Sequence, residues 1–246
     1  MSRSSSPARL FLGFGVALTT AALAAAVSLY GAQAPTGPTF GPVATYHVWD
    51  GHPAYWDVNL VPAFGAAGDF DGDGDLDVLI TDGSQPTALR YMRNNGAGAF
   101  TPTRIEPSGP CPGPNCITNS NRVRAADVNN DGRMDAIIAN NHSRNVSVLV
   151  NIGLNGAGIP IFTANNYLLF GAIGGGRAVN VGDLNNDGNL DLIAGNSDWN
   201  VYVFLGNGDG TFGAGTIYTD GGNNRLDIAV ADLDNDGNND VIVGNR

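Results

Sequence analysis

The chain has 246 residues, of which 43% are hydrophobic and 14% charged, with 35 glycines and a formal net charge of −11. That much apolar material supports one or two domains with a packed core and excludes a largely disordered chain. High glycine with few charges favours short strands and tight turns over long helices, and the negative charge disfavours nucleic acid and anionic membrane as partners because their phosphates are repelled.

The first segment reads as an address. Residues 1–9 carry Arg3 and Arg9 and no acid, Leu10 to Leu29 is an almost uncharged apolar run, and the small-residue triplet Ala32-Gln33-Ala34 follows. This is the pattern of a signal peptide or, given the length of the apolar run and Pro35 directly after the triplet, of an uncleaved N-terminal anchor. Residues 1–34 are assigned to that element and 35–39 to a Pro/Gly/Thr linker, which leaves 40–246 as the folded part in a secreted, cell-surface or periplasmic setting. Cys111 and Cys116, the only two cysteines, lie in a Pro/Gly-rich stretch. In an oxidising compartment they are expected to form a local disulfide whose effect is modest, since so short a loop removes little unfolded-state entropy.

Self-similarity then organises the rest of the chain. Four segments, 69–77, 127–135, 183–191 and 232–240, share the pattern D-x-[DN]-x-D-G-x-x-D, and their first aspartates are 58, 56 and 49 residues apart. That spacing suits a four-stranded blade plus its loops. An alternating stretch such as Ala178-Val179-Asn180-Val181 precedes each loop, and a short apolar run such as Ala136-Ile137-Ile138 or Val241-Ile242-Val243 follows it. Both read as strands, and a further alternating run such as Val146 to Val150 or Val201 to Leu205 makes each unit a β-meander. Phe40-Gly41-Pro42-Val43-Ala44-Thr45-Tyr46 is similar to Phe212-Gly213-Ala214-Gly215-Thr216-Ile217-Tyr218, the expected outer strand of the third unit. The fold class expected is all-β: a β-propeller of four-stranded antiparallel blades, partial or with few blades.

The loops have the chemistry of a hard-cation site. Fifteen of the 23 acidic residues fall in them, and oxygen side chains at positions 1, 3, 5 and 9, with the carbonyl of position 7, can converge on one calcium ion. In the first loop these are Asp69, Asp71, Asp73 and Asp77, with Asp75 at position 7; in the second, Asp127, Asn129, Asp131 and Asp135, with Arg133. In the third they are Asp183, Asn185, Asp187 and Asp191, with Asn189; in the fourth, Asp232, Asp234, Asp236 and Asp240, with Asn238. Position 6 is always glycine, as a turn of left-handed conformation requires. An EF-hand is excluded, because position 12 is Ile80, Ile138, Ala194 or Val243 rather than a bidentate glutamate. About four calcium ions are expected, with the first and fourth loops binding more tightly on carboxylate count.

These loops, together with Leu205-Gly206-Asn207-Gly208-Asp209-Gly210-Thr211-Phe212-Gly213, make residues 40–246 resemble the FG-GAP/VCBS repeats, which include the calcium-binding blades of integrin-type propellers. The resemblance implies a propeller of up to about seven blades, calcium between the first two strands of a blade, and a role in adhesion or ligand recognition or as an accessory domain of secreted enzymes.

Residues outside the loops offer fewer leads. Arg122, Arg124, Arg177 and Arg225 are expected near the entries to innermost strands, where Arg122, Arg177 and Arg225 are candidates to anchor carboxylate or sulfate, or else simply pair with neighbouring acids. Trp199 after Asp198, and the cluster His47, Trp49, His52, Tyr55 and Trp56, could stack on sugar rings or fill gaps between blades. A non-enzymatic recognition or adhesion module for an extracellular protein or glycan is the function expected. The alternative is an accessory or catalytic propeller of a secreted lyase or hydrolase, for which catalytic candidates are scarce: Glu106 is the only glutamate, and no nucleophile signature is present.

Overall fold

A computed structural model describes residues 62–82, 89–108, 120–169, 175–198, 200–219 and 227–244. The N-terminal segment, its linker, the stretch 40–46, both cysteines, the 47–56 aromatic cluster, Trp199 and Arg225 lie outside these residues.

Fourteen strands and no helix are found among the described residues. The first sheet holds β1 (Pro62–Gly68), β2 (Asp77–Asp82), β3 (Leu89–Asn94) and β4 (Phe100–Ile105) in that order. The second repeats the order with β5 (Ser120–Ala126), β6 (Asp135–Asn140), β7 (Asn145–Leu154) and β8 (Pro160–Leu168). The third does so with β9 (Gly176–Gly182), β10 (Asp191–Asn196), β11 (Asn200–Phe204) and β12 (Thr216–Thr219). A hairpin of β13 (Asp227–Ala231) and β14 (Asp240–Gly244) completes the set. Every strand pairing within a sheet is antiparallel between neighbours in sequence, so the first three units are the meanders that their alternating patterns predict.

The sheets stack through their first strands: β1 lies beside β5, β5 beside β9, and β9 beside β13. Strands β6 and β10, with a neighbouring sheet on either side, are therefore covered on both faces, which explains why they are buried at every residue and read as near-continuous apolar runs. Phe70, Leu79, Tyr91, Val123, Ile138, Leu149 and Phe162 fill the seam between the first two sheets. There Phe70 meets the Tyr91 and Phe162 rings edge-on at 6.5 and 6.2 Å. Val148, Val179, Leu192, Tyr202, Phe204 and Phe212 fill the next seam. Burying each such side chain contributes about 1.5–3 kcal/mol.

The third seam is thinner. Only Ala178, Ile193, Val201 and Ile228 are buried there among the described residues, against eleven in the first seam and thirteen in the second. Beside it a cleft of about 600 Å³ opens between Leu184, Val201, Val203, Tyr218, Val241 and Val243.

The expected outer strand from Phe212 is shorter than the pattern suggests. Phe212 pairs back onto Gly206 as an isolated bridge, and regular pairing starts only at Thr216. Gly213-Ala214-Gly215 lies between them, and glycine weakens a strand interior.

Candidate metal centres

Each acidic loop joins the first strand of a unit to the second, and all four are built alike. The position 1 aspartate accepts the backbone N–H groups of positions 5 and 6 on its two oxygens. Asp69 takes Asp73 and Gly74 at 3.1 and 2.9 Å, and Asp127 takes Asp131 and Gly132 at 3.1 and 2.7 Å. Asp183 takes Asp187 and Gly188 at 3.3 and 2.9 Å, and Asp232 takes Asp236 and Gly237 at 3.2 and 3.0 Å. Position 3 accepts from the N–H of position 5, and position 5 from that of position 7, so one side chain hands the loop to the next. The glycine at position 6 has φ between 83° and 93° in all four copies, as its sequence position predicts.

Position 4 is left-handed as well, and sequence reasoning missed it. Gly72, Asn130, Asn186 and Asn235 have φ of 74°, 58°, 58° and 62°. The signal was present, since only glycine and asparagine occupy that position and these residues tolerate the conformation best.

Position 9 is tied into the backbone around the loop. Asp77, Asp135 and Asp191 are fully buried. Their Oδ2 atoms accept the N–H of position 2: Phe70 at 3.2 Å, Val128 at 2.9 Å and Leu184 at 2.8 Å. Their Oδ1 atoms accept an N–H at the third strand, from Asn94 at 2.8 Å, Asn151 at 2.7 Å and Gly206 at 2.9 Å. One carboxylate thus ties the start of the loop to a strand two places away. Asp240 keeps the first bond, from Leu233 at 3.0 Å, in the exposed fourth loop.

Burial raises the Asp77 carboxyl above its ordinary value although Asn94 and Tyr91 donate to it, and burial pushes Asp135 up to about 6 against the N–H bonds from Asn151 and Val128. The Tyr91 hydroxyl donates to Asp77 Oδ2 at 2.7 Å, and burial first, then the carboxylate, holds that phenol protonated. Asp187 and Asp236, both at the exposed rim, are lowered by the N–H bonds from Asn189 and Asn238.

The donor set is all oxygen. One oxygen each from Asp69, Asp71 and Asp77 lie within 4.8 Å of one another, as do those of Asp232, Asp234 and Asp236, a clustering that suits a hard divalent cation such as calcium. In the second and third loops the position 3 amides of Asn129 and Asn185 instead donate to Asp131 and Asp187, at 2.8 and 3.0 Å. The position 7 side chains point away from the loop centre in two copies: Asp75 lies against Gly96, and Asn189 against Gly208. Asn238 donates to Asp236 at 2.9 Å, while the Arg133 guanidinium folds back onto Asp131 and also donates from Nε to the Asn151 carbonyl at 2.8 Å.

The described arginine candidates, Arg122, Arg124 and Arg177, sit inside strands rather than in the entry loops where the sequence reading put them. Arg122 and Arg124 are in β5 and reach Asp227 at the start of β13, at 3.8 and 3.3 Å. The Arg122 guanidinium also lies 4.2 Å from the centre of the Phe64 ring. Arg177 is in β9 and half-buried. Glu106 pairs with Arg104 at 3.0 Å, and His142 is exposed on the turn between β6 and β7.

No curated protein sequence matches the chain. Among solved structures, BBS1N in complex with ARL6DN, soaked with lead, is similar at 12% identity and a TM-score of 0.46, over 76% of this chain and 55% of that one. The biofilm matrix protein Bap1 of V. cholerae is similar at 15% identity and a TM-score of 0.36, over 79% of this chain and 37% of that one. The chain therefore spans about half of the first and little more than a third of the second. A family model described as an FG-GAP-like repeat matches residues 69–138, 127–194 and 183–243, each match opening on the first aspartate of a loop and closing in the second strand of the next unit. Since these overlapping matches run over most of the sequence and keep step with the sheets, the chain belongs to the FG-GAP-like repeat family.

Proposed function

We propose that the protein is an exported, calcium-binding repeat scaffold that recognises an extracellular protein or glycan without catalysis. The observation that carries the calcium reading is the same oxygen-lined loop built four times at one topological position, three of the copies tied by their position 9 aspartate to the third strand of the unit. The first loop would hold the ion with Asp69, Asp71, Asp73, Asp77 and the Asp75 carbonyl, and the fourth with Asp232, Asp234, Asp236, Asp240 and the Asn238 carbonyl. The second and third would use their equivalents, with Asn129 and Asn185 supplying amide oxygens. Calcium bound there supplies a point charge that offsets carboxylate repulsion. At an extracellular-type affinity of about 0.1–1 mM and calcium near 1 mM, each site adds roughly 0.4–1.4 kcal/mol to folding.

Recognition then rests on the sheet framework and its exposed connections, with Arg122, Arg177, Arg225 and Trp199 as the candidate contacts. The Cys111–Cys116 disulfide and the N-terminal export segment belong to the same proposal. Thermal melts with chelator and with 1 mM calcium test the metal: a calcium-dependent rise in Tm and uptake of about four ions are expected, and identical melts with no uptake would refute it. A glycan array and an extracellular-protein pull-down test the ligand, with binding lost in Trp199→Ala as the expected result.

A further inference from the structure

The four loops share a backbone but not an electrostatic setting. In the first, Arg93 near the end of β3 turns its guanidinium onto the loop, with Nε 2.7 Å from Asp71 Oδ2 and a terminal nitrogen 3.7 Å from Asp73 Oδ2. The Asp71 side chain is almost wholly buried, and that oxygen accepts no hydrogen bond, so the arginine is its counter-charge. In the second loop Arg133, at position 7, bonds to Asp131.

Neither the third loop nor the fourth has a comparable partner among the described residues. The N–H bond to the position 9 aspartate aligns Asn94 with Asn151 and Gly206, so the residues matching Arg93 are Val150 and Leu205. Position 7 is Asn189 in the third loop and Asn238 in the fourth. Among the described residues no arginine pairs with either of those loops.

We infer that Arg93 and Arg133 are tethered counter-ions that grade the calcium affinity of the four loops. This rests on the calcium reading above. Counting the side chains at positions 1, 3, 5 and 9 with their arginine, the first loop keeps three net negative charges, the second two, the third three and the fourth four. The fourth loop is therefore the tightest and the second the weakest, with the first brought down to the level of the third. Carboxylate count alone puts the first and fourth loops together. The arginines also relieve repulsion without metal, so the first two loops stay formed when calcium is scarce, while the last two depend on the ion.

A unit charge about 4 Å from a divalent ion costs about 2 kcal/mol even at the dielectric constant of water, or about thirtyfold in affinity, which screening by salt brings down to about tenfold. The test is calorimetric calcium titration of the full chain and of Arg93→Leu and Arg133→Asn, which install the residues found in the third unit. Each variant is expected to tighten one site by about tenfold and to melt lower than the wild type in chelator. Four equal sites in the wild type, or unchanged isotherms in both variants, would overturn the inference and leave the calcium reading standing. Failure of the wild type to take up calcium at all would overturn both. A second pair, Asp71→Asn and Asp131→Asn, removes the anchor of each arginine, and loss of the chelator-state difference between these and the corresponding arginine variants is expected.

Discussion

Asp191 offers the sharpest test of how the loops are held. It is fully buried, and its two oxygens accept N–H bonds from Leu184 at 2.8 Å and Gly206 at 2.9 Å. Asparagine has the same shape, but its amide nitrogen must face one of those donors, so one charge-assisted bond is lost and one buried N–H is left without an acceptor. A hydrogen bond to a charged group contributes about 1.5–3 kcal/mol, and an unsatisfied buried donor costs a further 1–3. Because the two figures overlap in what they count, Asp191→Asn is expected to cost about 3 kcal/mol. For a domain of this size that is a fall in Tm of roughly 6–12 °C. The measurement is made in excess chelator, so that lost metal affinity plays no part. Asp187→Asn is the control: at the exposed rim it keeps the acceptor used by the Asn189 N–H at 2.8 Å and should stay within about 0.5 kcal/mol of the wild type. With calcium present, the control should lose its share of metal stabilisation. Equal chelator-state stability of the two variants would show that position 9 is only a ligand and that the clamp contributes nothing.

Further outcomes follow from the same geometry. Burial pushes Asp135 up to about 6 from 3.8, so the folded state holds this proton more firmly than the unfolded state; its contribution to metal-free stability is complete below about pH 4 and is lost as pH rises through 6. Calcium competes with that proton, so affinity at the second loop should fall on going from pH 7.5 to 5, and Asp135→Asn should abolish both effects in urea titrations and calorimetry. Asn186 has φ of 58°, so Asn186→Val should cost about 1–2 kcal/mol in a thermal melt while Asn186→Gly is close to neutral. Asp227→Asn removes the negative charge that pairs with Arg122 and Arg124. As the carboxylate is more than half exposed, the loss should be no more than about 1 kcal/mol and should vanish in 1 M salt.

The features legible in the sequence were those set by local chemistry. Alternation gave the meander, glycine at position 6 marked the turn, and the recurring aspartates marked the loops. Position 4 was equally local and was passed over because asparagine and glycine there look like ordinary turn residues. The double use of Asp77, Asp135 and Asp191 was not local: it depends on a third strand returning to within hydrogen-bond reach 15 to 17 residues later. Arg93 was hidden for the same reason, since it sits 22 residues beyond Asp71 and meets it only once β2 and β3 have paired. The assignment of Arg122, Arg124 and Arg177 to entry loops failed because the first strands begin earlier than their alternation shows, at Ser120 and Gly176.

The uneven filling of the seams gives the molecule a direction. In a row of units that touch only their neighbours, each boundary opens at its own free energy, and disturbance spreads one unit at a time. With four buried side chains at the boundary between β9 and β13 among the described residues, and eleven and thirteen at the others, that boundary opens first. A protease or a pulling force would therefore part β13 and β14 from the third sheet while the first two sheets still hold together, and amide exchange would be fastest in that hairpin.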